Sequence, residues 1–322
     1  MTSGGGVVAR RVGYLFPGQG AQFVGMGQDL CAHFAEAKAV YDRANELLGF
    51  DVKRISFEGP AGDLQKTRYA QAAIFVNSIA ALKVFEAHFK PAGETAAAGA
   101  GLSLGEATAL VAANAIGLDA GIRFVRDRGL FMDEASIEVP GSMAAAIGMT
   151  VAEVEAVCAE TGAEVGNLNC PGQIVISGKK ALVEAAVKRC QEIGKRAVPL
   201  DVSGAFHSSC MNSACRRIEQ ALASIDVRKP AYPVISNLTA REESDPAQIK
   251  KNLINQMNHR TLWEDSCRRM IGMGITRFYE LGPGKVLKGL MRKIDPSVTV
   301  VSLGTSEDFR TLQAGGAHAA QK

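Results

Sequence analysis

The ten residues GAGLSLGEAT, Gly99 to Thr108, restrict what this chain can fold into more than any other stretch. Ala96–Ala100 reads as a short strand of small residues that runs straight to a serine. Gly101 and Gly105 flank Ser103 in the pattern Gly-x-Ser-x-Gly, which suits a sharp strand-to-helix turn. In such a turn the glycines let strand and helix approach closely and the serine is forced outward. The next backbone N–H then faces a developing oxyanion, and the helix starting at Leu104 aims its positive end at the same spot. The same residues also fit a helix N-cap serine in a glycine-rich turn. They do not fit a nucleotide loop, because neither G-x-G-x-x-G nor G-x-x-x-x-G-K-[ST] is present.

Strand and helix periodicities alternate around this turn. Val12–Phe16 reads as a buried strand leading into Pro-Gly-Gln-Gly. Met26–Leu48 has helical spacing with a break near His33, and Gln71–Phe89 is an Ala-, Ile- and Val-rich helix suited to burial. Helices over Leu104–Ala113 and Leu118–Glu134 follow the serine, so a mostly parallel sheet is expected. The middle of the chain has another order. Strand patterns at Met143–Gly148, Glu164–Leu168, Ile174–Ser177 and Ala197–Val202 interleave with helices at Val151–Glu160 and Lys180–Gly194. That is β-α-β-β-α-β, the split pattern of a ferredoxin-like unit. The expected fold class is α/β, with a small subdomain at residues 139–203 inserted into a larger one formed by residues 1–138 and 204–322. The larger part resumes with a helix over Ser208–Ala223 and ends in a tail from Ser306 that is expected to fray.

Composition narrows the function classes. The 322 residues, 47% hydrophobic, suffice for one large core with a smaller one beside it. A net charge of only +3 gives no electrostatic case for nucleic acid. Seven scattered cysteines without a CxxC pair read as reduced thiols of a cytoplasmic protein and argue against a disulfide scaffold. The N-terminus has no apolar core of signal-peptide length, and no apolar run reaches the length of a membrane span, so a soluble chain is expected.

A serine hydroxyl is a poor nucleophile at neutral pH and needs a base. Of the five histidines, His33 and His88 lie in amphipathic helix patterns, His318 is in the tail, and His259 follows a polar loop. His207 ends Ser-Gly-Ala-Phe-His, after an expected strand and before a helix, where a doubly wound fold places site residues. It fits a general base or a helix cap. FPGQG, Phe16 to Gly20, fits either the second half of an oxyanion hole or a plain tight turn. On the Leu118–Glu134 helix, Arg126 and Arg128 flank the apolar stripe and Arg123 points further away. Either flanking arginine reaches a cleft or forms a solvated face; spacing does not choose.

FPGQGAQ, GLSLGE, VRDRG, NCPGQIVISG, GAFHS and ELGPGKV occur in this order between Tyr14 and Ile294. Together they closely resemble the malonyl-CoA:acyl carrier protein transacylase family. The resemblance implies an α/β-hydrolase-like large subdomain and a ferredoxin-like small one. It makes Ser103 the nucleophile that becomes malonylated and His207 the general base and acid. It also implies an oxyanion hole from the N–H groups of Gln19 and Leu104, and a malonyl-carboxylate partner in Arg128. Gln256 matches the residue whose backbone carbonyl orients the histidine. Gln71 matches another cleft residue, Asn169 and Asn237 line or brace the site, and Phe206 belongs to the malonyl-type pattern. The implied substrate is malonyl-CoA, with no permanently bound cofactor and no metal, and the partner is an acyl carrier protein met by a monomer.

The chain departs from the common family form in a few places. Leu102 stands where histidine is common before the nucleophile, Ala107 where an aromatic is frequent, Ala72 and Arg260 where prolines are usual. Acyl carrier proteins are acidic, so basic docking candidates are Lys179, Lys180, Lys188 and Arg189 on the small part, and Arg216, Arg217, Lys285, Lys288, Arg292 and Lys293 on the large one. The function expected is malonyl transfer in fatty acid biosynthesis, or the same reaction for a polyketide synthase. A serine thioesterase or hydrolase is a further alternative, although no acidic triad member has an evident place in the chain order. A catalytically silent carrier-binding protein is the third.

Overall fold

A computed structural model describes residues 10–319. Ten strands form two sheets: β1 (Arg10–Phe16), β2 (Glu94–Gly101), β3 (Gly141–Ile147), β4 (Glu164–Cys170), β5 (Gln173–Lys179), β6 (Arg196–Pro199), β7 (Val234–Ile235), β8 (Glu242–Glu243), β9 (Arg277–Leu281) and β10 (Thr299–Leu303). The larger sheet has the order β10-β9-β1-β2-β7-β8. Its first five strands are parallel, and β8 pairs antiparallel with β7 at the edge. The smaller sheet, β4-β5-β3-β6, is antiparallel throughout, with Ala144 of β3 opposite Ile176 on one side and Pro199 on the other. The β-α-β-β-α-β order over residues 141–199 is the order expected from the periodicity.

Small residues set the centre of the larger sheet. Gly13 of β1 lies under the Phe278 ring and Gly99 of β2 under Tyr232, so a side chain at either position meets an aromatic. The Thr67–Val84 helix crosses behind this sheet between the Ala35–Leu48 and Leu118–Glu138 helices. It is buried on nearly every face, which explains a composition without a clear polar side. Together with the following turn it makes a run, Thr67–Phe89, long and apolar enough by length and composition to cross a membrane. This corrects the expectation that no such run exists; most of it packs inside the core.

Two further corrections concern ends and short elements. The segment after Ser306 is a helix, Ser306–Ala319, where fraying was expected. Asp308 accepts hydrogen bonds from the Gly304 and Thr305 N–H groups at its start. Phe309 is fully buried, stacked on Phe89 at 5.0 Å and edge-on to Phe34 at 6.2 Å. The glycines and alanines at the end of the tail hid this anchor. Helices at Val52–Phe57 and Ala61–Gln65 are too short for periodicity to reveal; Asp51 caps the first through the Arg54 N–H.

The carboxyl ends of β1 and β2 converge on one point. Leu102 N–H bonds to Phe16 O at 3.1 Å, so the loops that leave the two strands touch. A Cβ on Gly18 falls on the Leu102 carbonyl, one on Gly101 falls on the Gly105 backbone, and one on Gly105 falls on Phe16 O. All three clashes are with backbone, which cannot swing aside. We predict that Gly105→Ala lowers the unfolding free energy by about 1–3 kcal/mol in chemical denaturation. Gly289→Ala is the control: it faces open space on the Val286–Ile294 helix and should be neutral or stabilising by up to about 1 kcal/mol.

Candidate active site

Ser103 sits between the end of β2 and the Leu104–Ala112 helix with φ 53° and ψ −102°, a conformation that non-glycine residues rarely adopt. It holds the N-cap position but makes no capping hydrogen bond, so its hydroxyl is turned elsewhere. Three side-chain contacts hold the turn. Asn237 Oδ1 accepts from Ser103 N–H at 2.6 Å, Asn237 Nδ2 donates to Gly101 O at 2.8 Å, and Gln256 Nε2 donates to Ser103 O at 2.9 Å. Asn237 thus braces the serine from behind and does not line the cleft.

His207 approaches from the loop after β6, also with positive φ, 59°. Its own N–H bonds to Met257 O at 2.9 Å. Nε2 lies 2.8 Å from Ser103 Oγ, and Nδ1 lies 2.8 Å from the Gln256 backbone carbonyl. A carbonyl only accepts, so Nδ1 carries the proton and Nε2 presents its lone pair to the serine O–H. Ser208, not His207, caps the turn that follows, by accepting from Cys210 N–H at 3.4 Å. Burial, helped by the positive charge of Arg128, pushes the His207 pKa down to about 4, against weaker support from backbone hydrogen bonds. The imidazole is therefore neutral at physiological pH, the state in which it accepts a proton.

Arg128 is 2% exposed. Nη1 donates to Gln71 Oε1 at 2.7 Å; Nη2 donates to Gln256 Oε1 at 2.8 Å and to Ser103 Oγ at 3.1 Å. The structure thus separates the arginines that spacing left open. Arg126 pairs with Asp127 and donates to Leu47 O at 3.2 Å, and Arg123 lines a different hollow with Asp119 and Asp226. Burial brings the Arg128 pKa down to about 10, with Glu106 pulling it up, so the guanidinium stays charged at neutral pH.

Ser103 and His207 open on a cleft of about 330 Å³, with Arg128 behind its wall and reaching Ser103 Oγ from there. Gln19, Gln71, Asn169 and Phe206 line it with Ser103 and His207, and Leu102 forms part of its wall beside the serine. Met132, Met143, Val175 and Leu200 make its apolar surface. Gln256 stands behind the wall. The N–H groups of Gln19 and Leu104 find no acceptor among the described residues. The described residues contain no group of three or more His, Cys, Asp or Glu side chains placed to hold a metal ion.

Sequence reasoning missed two contributions. Glu106, one turn into the helix after Ser103, is fully buried; its Oε2 accepts from Asn237 N–H at 3.0 Å and from Gln256 Nε2 at 2.7 Å. The signal was a lone acidic residue in an apolar helix, LGEATALVA. The Gln256 side chain is the other: it touches Arg128, Ser103 and Glu106 together, and nothing in its spacing marks it.

A serine on a strained turn, hydrogen-bonded to a neutral histidine whose far nitrogen is held by an acceptor, is the arrangement of covalent acyl transfer. Known proteins agree with that class. Residues 13–272 match the family model of the acyl transferase domain. The chain is 41% identical over 303 residues to the malonyl CoA-acyl carrier protein transacylase of Bacillus subtilis, covering 92% of this chain and 94% of that one. Among solved structures it resembles the acyl-carrier-protein S-malonyltransferase of Bartonella henselae, with TM-score 0.89, 36% identity and 95% and 99% of the two chains covered. It also resembles the malonyl-CoA:acyl carrier protein transacylase of Xanthomonas oryzae pv. oryzae, with TM-score 0.90, 37% identity and 95% and 98% covered. The chain belongs to the acyl transferase family and, within it, to the malonyl CoA-acyl carrier protein transacylases.

The histidine pKa has a kinetic consequence. Labelling of Ser103 by a neutral sulfonyl fluoride needs His207 unprotonated and nothing from Arg128 as a carboxylate partner. The labelling rate should stay nearly flat from pH 8 to pH 5.5 and fall with a midpoint at about 4. An unshifted imidazole gives a midpoint at about 6.5 instead.

Proposed function

We propose that this protein moves a malonyl group from malonyl-CoA to the phosphopantetheine thiol of an acyl carrier protein, through a malonyl ester on Ser103. The observation that carries the reading is the buried, charged Arg128 with Nη2 3.1 Å from Ser103 Oγ. A guanidinium held there matches an acyl group that ends in a carboxylate, since it offers two parallel N–H bonds.

In the first half-reaction His207 Nε2 takes the Ser103 proton as Oγ attacks the thioester carbonyl. The oxyanion forms against the N–H groups of Gln19 and Leu104. As the tetrahedral intermediate collapses, the C–S bond breaks and the imidazolium returns its proton to sulfur, releasing coenzyme A as the thiol. The carrier thiol then gives its proton to His207, attacks the acyl ester, and Ser103 Oγ leaves with that proton. The Gln256 carbonyl on Nδ1 fixes the tautomer but brings less charge to the imidazolium than an aspartate. A thiol is a good leaving group and needs less help. Gln71 and Gln256 hold Arg128 in place, Asn237 supports the nucleophile turn, and Phe206 and Asn169 shape the acyl cleft.

The reading extends to the whole molecule. Residues 1–138 and 204–322 act as an α/β-hydrolase-like catalytic subdomain, and residues 139–203 as a ferredoxin-like one. The protein works in the cytoplasm as a monomer, in fatty acid biosynthesis, without a bound cofactor, nucleic acid or membrane. The acidic carrier meets basic side chains. Among the candidates Arg189 is paired with Glu160, Arg217 with Glu134 and Lys285 with Asp308. Lys179, Lys180, Arg216, Lys288, Arg292 and Lys293 are exposed and have no carboxylate partner among the described residues, so they are the better docking groups.

Mass spectrometry after mixing with malonyl-CoA and a carrier protein should show a malonyl mark on Ser103 and a loaded carrier. Free malonate with an unloaded carrier is the result of a hydrolase and defeats the transfer reading. Arg128→Ala should cut malonyl transfer by about 2–5 kcal/mol, at least about 30-fold, while acetyl transfer falls far less. Equal losses remove the carboxylate role from Arg128.

A further inference from the structure

Glu106 takes no part in the chemistry above, yet it lies three residues after the nucleophile and is fully buried. Among the described residues no cation touches it. Its Oε2 is held by Asn237 N–H and Gln256 Nε2, at 3.0 and 2.7 Å. The Gln256 amide is thereby clamped. Its NH2 end meets only acceptors, Glu106 and the Ser103 carbonyl; its oxygen meets only a donor, Arg128 Nη2 at 2.8 Å. Turning the amide over sets NH2 against guanidinium and oxygen against carboxyl, so one orientation is strongly favoured. Gln71 takes one N–H from Nη1 and Gln256 one from Nη2. The second N–H of Nη1 has no partner among the described residues and the second of Nη2 points at Ser103 Oγ, 3.1 Å away, so with the two glutamine oxygens fixed the remaining donors face the place where an acyl group on that oxygen lies.

We propose that Glu106 is the positioning residue of the carboxylate site: acting through the Gln256 amide, it fixes the Arg128 guanidinium and so sets the preference for acyl groups that end in a carboxylate. The proposal rests on the reading of Arg128 as the malonyl partner. Charge supports it as well as geometry. Glu106 draws the Arg128 pKa up and Arg128 draws the Glu106 pKa down, although the two do not touch. Glu243 on β8 opposes the charge on Glu106, and burial outweighs every other influence on it, leaving its pKa at about 7.

The test compares Glu106→Gln, Gln256→Met and the double variant, with KM and kcat measured for malonyl-CoA and acetyl-CoA and folding checked by thermal unfolding. Each single variant should raise the malonyl-CoA KM about ten-fold and leave the acetyl-CoA KM within about two-fold. The double variant should be no worse than the poorer single one, as expected of one relay. Equal losses on both substrates overturn the proposal, since Glu106 then only supports the serine turn through Asn237. Arg128→Ala separates the two failures. If it discriminates between the substrates and Glu106→Gln does not, only the relay is wrong; if neither discriminates, the Arg128 reading itself is wrong.

Discussion

The positive charge of Arg128 is buried with no carboxylate of the described residues in contact, and the site is arranged around that fact. An uncompensated ion in a protein interior costs several kcal/mol. Here two glutamine oxygens and a serine hydroxyl solvate it, and a carboxyl one amide away supplies opposite charge. The same charge helps to keep His207 neutral. On the proposed reading, an acyl group with its own negative charge answers this guanidinium and a neutral one does not, so that selectivity and the readiness of the base come from one side chain.

The backbone makes this arrangement possible. Ser103 and His207 both carry positive φ, and each is held by bonds from distant parts of the chain. Asn237 and Gln256 fix the serine turn; the Met257 and Gln256 carbonyls fix the histidine. Strain at two residues is tolerated because many hydrogen bonds over-determine their positions. The glycines at 18, 101 and 105 remove the side chains that otherwise keep the two strand ends apart.

Much of this was legible in the sequence, for identifiable reasons. Gly-x-Ser-x-Gly after a small-residue strand has few backbone solutions, so the turn at Ser103 is where the pattern puts it. The β-α-β-β-α-β order follows from alternation and helical spacing over residues 141–199. The choice between Arg126 and Arg128 was not legible, because both flank the same stripe and only tertiary packing says which one turns inward. Glu106 and the side chain of Gln256 were missed for a related reason. Their function lies in contacts across about 150 residues, and local pattern carries no trace of such pairings. The C-terminal helix was hidden by its glycine-rich end, although Phe309 supplies the anchor.

Residues 256–262 tie three parts of the molecule together. The Gln256 carbonyl holds the imidazole, Leu262 N–H bonds to Asn237 O behind the serine, and Thr261 bonds to Gly166 and Leu168 of the smaller sheet at 2.8 and 2.9 Å. The strap that orients the base is thus also the rivet between the lobes that wall the cleft. Prising those lobes apart pulls on the strap that holds the imidazole, so the width of the cleft and the placing of the base are coupled. Coenzyme A and the carrier end in the same pantetheine arm. Departing and arriving groups of the same shape can use one and the same slot, with the strap keeping the base in place for both.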